Sequence, residues 1–500
     1  MTSDPPASSH SAAGLEHFRT RAPRQRIHPT EKFLLYVISA QLVFLPWALG
    51  GMLEWVQWVS FGLSVLGFAV SLFPRDYNEV GPGQAPFRLY TWPKLARFPI
   101  FWLGLALLGY ITVQGLNPAW VYVTDGKGWW MQAVPHRDWL PSGVDVPFGR
   151  WGPLRMLMIY ASVLMTVCAV WIGFTRRRSL QLLFTVLAAN AFFLATLGIA
   201  QRATGADKIM WFWSMPGSSF VSTFYYKNHA GAYFNLVLGL CAGLALWHYE
   251  RGLRRLDKSS PSGLFAFFST AVVLLVVFSY SRTATILLFT FLIVGAVIFL
   301  WRQKRLPDTG NRSPFITVVI LLALGAFIYL GLRSLRTERF IASMEQLKNQ
   351  VAEAGLGARA VASAATWEMA QAKLAFGWGA GSHRFCFPIY QQQHPTIFGA
   401  NGSRMYWDHV HNDYLELLTE FGMVGGTLLL LMAGYLVLRY LRLAAWQNPL
   451  ALFGMIGCGL VAVHAIVDFH FYNPAILTTF WVIAAGVIRW AEIEDANPAG

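Results

Sequence analysis

The sequence predicts an all-α polytopic membrane protein with about twelve transmembrane helices and a large helical loop on its outer side. Three observations predict it. Of 500 residues, 55% are apolar and only 13% charged, and the mean hydropathy is +0.44, a balance that a water-exposed surface of this size does not support. The apolar residues gather in long runs, and a membrane-crossing helix needs about 20 of them. Basic residues, which give a formal net charge of +14, sit in short clusters between the runs, as orientation signals do. This pattern excludes a soluble enzyme and argues against a nucleic-acid partner.

The first 32 residues are polar, basic and rich in Pro and Ser, with no small-residue cleavage site after the first run, so they are expected to form a cytoplasmic tail and not a removable signal peptide. Twelve runs follow, near 33–51, 55–73, 99–116, 154–174, 180–200, 229–248, 263–280, 284–301, 314–332, 421–438, 449–467 and 475–490. Residues 33–332 would hold helices one to nine, 333–420 an outer helical loop with the site motifs, 421–490 helices ten to twelve, and 491–500 a second cytoplasmic tail. The first pair of runs could instead be a re-entrant hairpin, and ten spans is the lower bound. With both termini inside, the inner segments carry Arg75, Arg88, Lys94 and Arg97, then Arg176 to Arg178, Arg251, Arg254 and Arg255, Arg302 to Arg305, and Arg439 and Arg442. The short outer loops are much poorer in charge.

Three outer segments are long: 117–153, 201–228 and 333–420. The third carries Phe340, Met344, Leu347 and Val351 at helical spacing, then a second helical stretch over 358–376, read as two amphipathic helices on the outer membrane face. Trp129, Trp130, Trp139 and Trp151 are expected to seat at the same interface. Cys168, Cys241, Cys386 and Cys458 form no CxxC motif and suggest no disulfide framework.

Reactive polar residues are scarce, so their positions carry information. Arg282, within Ser281-Arg282-Thr283, is the polar interruption between two apolar runs and is held at the outer surface. A lipid phosphate or a lipid-linked diphosphate would compensate its charge by bidentate hydrogen bonding, and snorkelling to ordinary headgroups is the alternative. Trp407 to Tyr414 leads into a helix expected to begin at Asp413, with Asp413 and Glu416 at capping-box spacing. His411 then lies just outside a helix N-terminus, where the dipole disfavours imidazolium and suits a general base. His409 and His411, flanked by Asp408 and Asp413, could also bind a metal or act only as hydrogen-bonding groups. Gly377-Trp378-Gly379-Ala380-Gly381, ahead of Arg384, permits either a close approach to a ligand or a plain turn. Lys227, Asn228 and His229 fall at the outer mouth of the sixth run. His464, Asp468 and His470 fall at the outer end of the eleventh.

With those residues in view, the chain resembles the O-antigen ligase and polymerase superfamily of bacterial membrane glycosyltransferases over about residues 220–475. The likeness rests on Asn228, Ser281-Arg282-Thr283, Arg359 ahead of Trp367, the Gly377 to Gly381 motif, His411 to Glu416 through Gly422 and Gly425, and His464 to Asp468, in order and spacing. Lys227-Asn228 departs from the family's usual Asn-x-Asn. The resemblance implies a GT-C-like fold in the bacterial inner membrane, with a periplasmic loop roofing an active site at the outer leaflet. It implies transfer, with inversion, of a glycan from undecaprenyl diphosphate to an acceptor hydroxyl, without a cofactor or metal. Arg282 and Arg359 resemble the diphosphate ligands and His411 the catalytic residue. Lys227, Asn228, Arg384, His409, Asn412, Asp413, His464 and Asp468 are candidate substrate-binding residues. A lipid A core sugar is the expected acceptor, as for an O-antigen ligase; an O-antigen or exopolysaccharide polymerase and a protein O-oligosaccharyltransferase are alternatives. A secondary transporter is the alternative from another class, disfavoured because the two halves are unlike each other.

Overall fold

In the computed structural model the described residues are 27–77, 87–214, 219–255, 259–305, 357–398 and 406–495. They form fourteen α-helices and two small sheets. In chain order these are α1 (Pro29–Trp47), α2 (Glu54–Leu72), β1 (Arg75–Tyr77), β2 (Phe87–Leu89), α3 (Thr91–Ala96), α4 (Pro99–Leu116), β3 (Pro118–Thr124), β4 (Trp129–Ala133) and β5 (Gly143–Asp145). There follow α5 (Pro153–Gly173), α6 (Arg177–Ala203), α7 (Lys227–Arg255), α8 (Ser262–Phe278), α9 (Arg282–Arg305), α10 (Ala358–Ala372), α11 (His383–Gln391), α12 (Asp413–Arg442), α13 (Pro449–His464) and α14 (Pro474–Asp495).

Eight of these helices are long and apolar enough to cross a membrane: α2, α4, α5, α6, α7, α9, α12 and α14; α8 and α13 are shorter and equally apolar. The protein is a polytopic helical membrane protein. Eleven of the twelve apolar runs coincide with helices, and the run at 314–332 lies outside the described residues. The first pair forms two packed helices of 19 residues each, about 28 Å long at 1.5 Å per residue. Their reversal passes through Gly50 and Gly51 at φ +71° and +79°, a conformation that costs glycine little.

The bundle holds together as a lipid-embedded protein must, by close backbone approach and satisfied polar groups. α7 is central and packs along α13, where Gly239 lies against Gly457 so closely that a side chain at either would strike the other helix's backbone. Between α1, α2 and α5, Gln41 Nε2 donates to Ser60 Oγ at 3.0 Å, and Thr166 Oγ1 donates to Gln41 Oε1 at 2.9 Å. Apolar side chains of α9 such as Ile286 and Val297 remain exposed, 61% and 62%, as a lipid-facing surface requires.

A second core roofs one end of the bundle. Val144 of β5, Ala362, Ala365 and Met369 of α10, Phe385 and Phe387 of α11, Trp378 and Trp407 are buried together. Strands β4-β3-β5 form its sheet, with β3 antiparallel to β4 and parallel to β5. The tryptophan expectation therefore needs correction. Trp130 and Trp139 are exposed, but Trp129 packs edge-on to Phe385 and Trp151 lies under the Arg155 guanidinium. α10 likewise serves the roof core and does more than rest on a membrane surface; the helix expected from Phe340 to Val351 lies outside the described residues.

Candidate active site

The roof is locked to the bundle by a helix kink. α12 breaks at Gly422, φ +61° and ψ −170°, a region open almost only to glycine. The break frees the amides of Met423 and Val424, which donate to Leu374 O at 2.8 Å and Ala375 O at 3.1 Å. Across it, Trp378 N and Gly379 N donate to Thr419 O and Glu420 O, both at 2.9 Å. Gly381 N and His383 N donate to the Glu420 carboxyl group at 2.8 and 3.1 Å. From α4, Gln114 Nε2 donates to Glu420 O at 3.1 Å. Gly377, Gly379 and Gly381 all have positive φ, so the motif is a sharp turn, and the surface it approaches closely is the protein's own α12 and β5.

That docking sets the segment before α12. Asn412 is the N-cap and accepts from Leu415 N at 3.1 Å, as a short polar side chain at that position does. The helix begins at Asp413 as expected, but the capping-box reading is corrected. Asp413 Oδ2 instead accepts His470 N at 2.6 Å and Phe471 N at 3.0 Å, and Glu416 accepts Val410 N at 3.0 Å. Asp413 thus pins the loop between α13 and α14, which carries Asp468, against the turn that carries His411. His411 itself adopts φ +60°.

Here the separated motifs meet. His411 Nδ1 lies 3.1 Å from Asp468 Oδ1. Asp468 is 1% exposed and also accepts Phe469 N at 3.0 Å, the Tyr226 hydroxyl at 3.1 Å and the Asn228 amide. Asn228 Oδ1 accepts Ser281 Oγ at 2.7 Å, which ties the start of α7 to the residue beside Arg282. Burial alone would raise the Asp468 carboxyl, but the hydrogen bond from His411 and the neighbouring imidazoles outweigh it and hold the group well below the usual range. In the tautomer that donates Nδ1–H to this carboxylate, His411 carries its lone pair on Nε2.

Cations gather near Tyr226, which donates to Asp468. Arg359, exposed on α10, donates to Val467 O at 3.5 Å and lies close enough to the Tyr226 hydroxyl to oppose the upward push from burial and Asp468. Lys227 lies within the fields of Arg282, Arg202 and Arg359. Three basic side chains, from α6, α9 and α10, therefore gather around Lys227 of α7, the residue after Tyr226, which donates to Asp468.

Other candidate residues have protein partners. Arg384 Nη2 donates to His409 Nε2 at 3.0 Å, and His409 Nδ1 donates to Glu416 Oε1 at 2.6 Å. Burial, then the Arg384 charge, holds His409 well below the ordinary imidazole range. This chain braces the His411 turn from within. Asn228, Asn412 and Asp413 likewise position neighbours. His464 is buried at 1% exposure with its ring 4.0 Å from that of His470. Among the described residues, His464, Asp468 and His470 bring one potential ligand atom each within 4.8 Å of one another, the group that could hold a metal ion. Four donors already occupy Asp468, so a cation there would displace one.

Two residues were missed by sequence reasoning. Tyr226 was visible only as part of an aromatic stretch before Lys227. Phe469 carried no signal, yet its ring stacks on Tyr226 at 5.4 Å and on His409 at 4.2 Å and lies edge-on to His411 at 5.1 Å.

An imidazole–carboxylate pair with basic side chains nearby thus lies at one end of a helical membrane bundle. Residues 264–430 match the family model described as O-Antigen ligase, a likeness over about a third of the chain that supports the O-antigen ligase/polymerase superfamily. Members are glycosyltransferase-like ligases and polymerases with glycan and lipid-linked substrates. The matched segment runs from α8 into α12 and includes Arg282, Arg359 and His411, while Asn228 and Asp468 lie outside it. No curated protein matches the chain.

Proposed function

We propose that the protein is an O-antigen ligase that transfers a glycan from undecaprenyl diphosphate to a hydroxyl of the lipid A core, in the bacterial inner membrane. Both termini lie in the cytoplasm and the His411 end faces the periplasm, since the basic loops collect at the opposite end of the bundle. The observation that carries this reading is the 3.1 Å contact of His411 with Asp468 beside Arg282 and Arg359. The acceptor hydroxyl attacks the anomeric carbon while His411 Nε2 takes its proton. The bond from that carbon to the diphosphate oxygen breaks, and its electron pair leaves with undecaprenyl diphosphate. Arg282 and Arg359, with Lys227 nearby, stabilise the charge that develops on the leaving group, which is the task a divalent cation performs in many phosphate enzymes. One displacement inverts the anomeric centre, and no metal or nucleotide sugar is needed.

Purified protein in detergent, given lipid-linked glycan and core acceptor, is expected to form the glycosylated product, whereas His411→Ala inserts normally and forms none. Wild-type product from that variant rejects the mechanism. A deletion strain separates ligase from polymerase: lipid-linked polymer accumulates if ligation is lost, and single repeat units accumulate if polymerisation is lost.

A further inference from the structure

At the end of the bundle opposite His411, a cavity of about 460 Å³ opens between α3, α5, α12 and α14. α12 connects the two ends: it starts beside His411 and, 30 residues long with its break at Gly422, carries Arg439 into this cavity. Lys94, Arg97, Arg439 and Arg489 line it against a single carboxylate, Glu492.

That carboxylate is already spent. Arg439 Nη2 and Arg489 Nη1 both bind it, the second at 2.9 Å. Lys94 Nζ reaches only the carbonyl of Ile172 at 3.3 Å, and neither Lys94 nor Arg97 makes an ion pair among the described residues. Arg439 Nε is buried with no hydrogen-bond partner, which leaves a donor facing an unfilled requirement. Burial, then the Arg489 charge, depresses the Lys94 ammonium well below its ordinary range, a cost that a bound anion would offset. Tyr90 in the cavity wall, and Trp92 and Leu438, next in sequence to the lining Pro93 and Arg439, are each more than half exposed, an aromatic and aliphatic rim of the kind that sits at a membrane–water boundary.

We infer that this cavity binds the phosphate headgroup of an anionic phospholipid from the leaflet on this side of the bundle. Excess positive charge selects a phosphate, basic pockets between transmembrane helices being suited to such headgroups. The rim favours a lipid over a free ion, because acyl chains emerging from the mouth would cover it. The volume accommodates a phosphate with its glycerol. Such a lipid would clamp α3 to the ends of α12 and α14, far from the proposed chemistry.

The test compares wild type with Lys94→Gln/Arg97→Gln in nanodiscs of phosphatidylcholine with and without cardiolipin, and by native mass spectrometry after detergent extraction. Wild type is expected to retain cardiolipin as a discrete adduct and to melt about 5 °C higher in cardiolipin discs, a shift typical of a ligand well above its Kd. The double variant should match wild type in phosphatidylcholine alone and lose both adduct and shift. Should the double variant fold poorly, Arg97→Gln alone serves, since Arg97 is exposed. Equal retention and equal shift in the variant overturn the proposal. So does a shift fully reproduced by inorganic phosphate in detergent, which would make the cavity a simple anion site.

Discussion

His411 and Asp468, 57 residues apart in the chain, are joined by an Nδ1–Oδ1 contact of 3.1 Å. Their meeting depends on Asp413, whose carboxyl group holds the amides of His470 and Phe471. A helix N-terminus and the loop between α13 and α14 thus fix one imidazole through its Nδ1.

Asp468→Asn should therefore impair the reaction more than the fold. The amide is isosteric, but it turns a donor toward groups that themselves donate and removes the charge that selects the Nδ1–H tautomer. Transfer is expected to fall at least about 100-fold in kcat with little change in KM, by analogy with triad carboxylates. The pH profile of the remaining activity should also shift. Unchanged kcat and an unchanged profile would assign Asp468 a structural role alone.

Arg359 tests whether planar geometry matters beyond charge. Arg359→Ala is expected to lower transfer about 100-fold, in the range for losing one preorganised donor. Arg359→Lys should recover only part, since an ammonium lacks the bidentate fork. Rates with lipid-linked donor decide it, and full activity in both variants removes Arg359 from the proposed diphosphate site.

Gly422→Ala should loosen the roof. A Cβ there would come within about 2.5 Å of Ala375 O and Gly377 N, at backbone angles that cost roughly 1–3 kcal/mol for other residues. Lower thermal stability and faster proteolysis within 357–398 are expected. A wild-type melting curve would contradict the kink's role.

His383, fully buried on α11 against Phe387, has its pKa lowered to about 4 by burial. The unfolded chain, at about 6.5, binds its proton first, so this stability is complete above pH 6.5 and is lost as pH falls toward 4. At pH 5 the loss amounts to roughly 2 kcal/mol. Thermal melts at pH 7.5 and pH 5 should show a smaller acid shift for His383→Asn than for wild type; equal shifts would mean that other groups carry the acid sensitivity.

The helices were legible because each is specified locally: a run of apolar residues satisfies its own backbone bonds in lipid wherever it lies. The start of α12 at Asp413 was legible too, although the residue that caps it is Asn412 and not the Asp413–Glu416 pair. The sheet β4-β3-β5 was not, because its strands are short and two of the partner segments meet only once the roof core forms around Trp129 and Phe385. Candidate residues were legible as rare polar groups at one end of the bundle, but their division of labour was not. His409, Asp413 and Asp468 look alike in sequence, and only packing separates a brace, a pin and a carboxylate that orients His411.

By itself the chain therefore determined its membrane architecture and its run of helices, both consequences of hydrophobic length and local charge. The tertiary structure decided which carboxylate His411 holds, that the Gly377 to Gly381 turn grips α12 in place of a ligand, and that Phe469 centres the aromatic cluster. Those outcomes depend on side chains tens or hundreds of residues apart, whose pairing is set by three-dimensional packing and leaves no periodic trace in sequence.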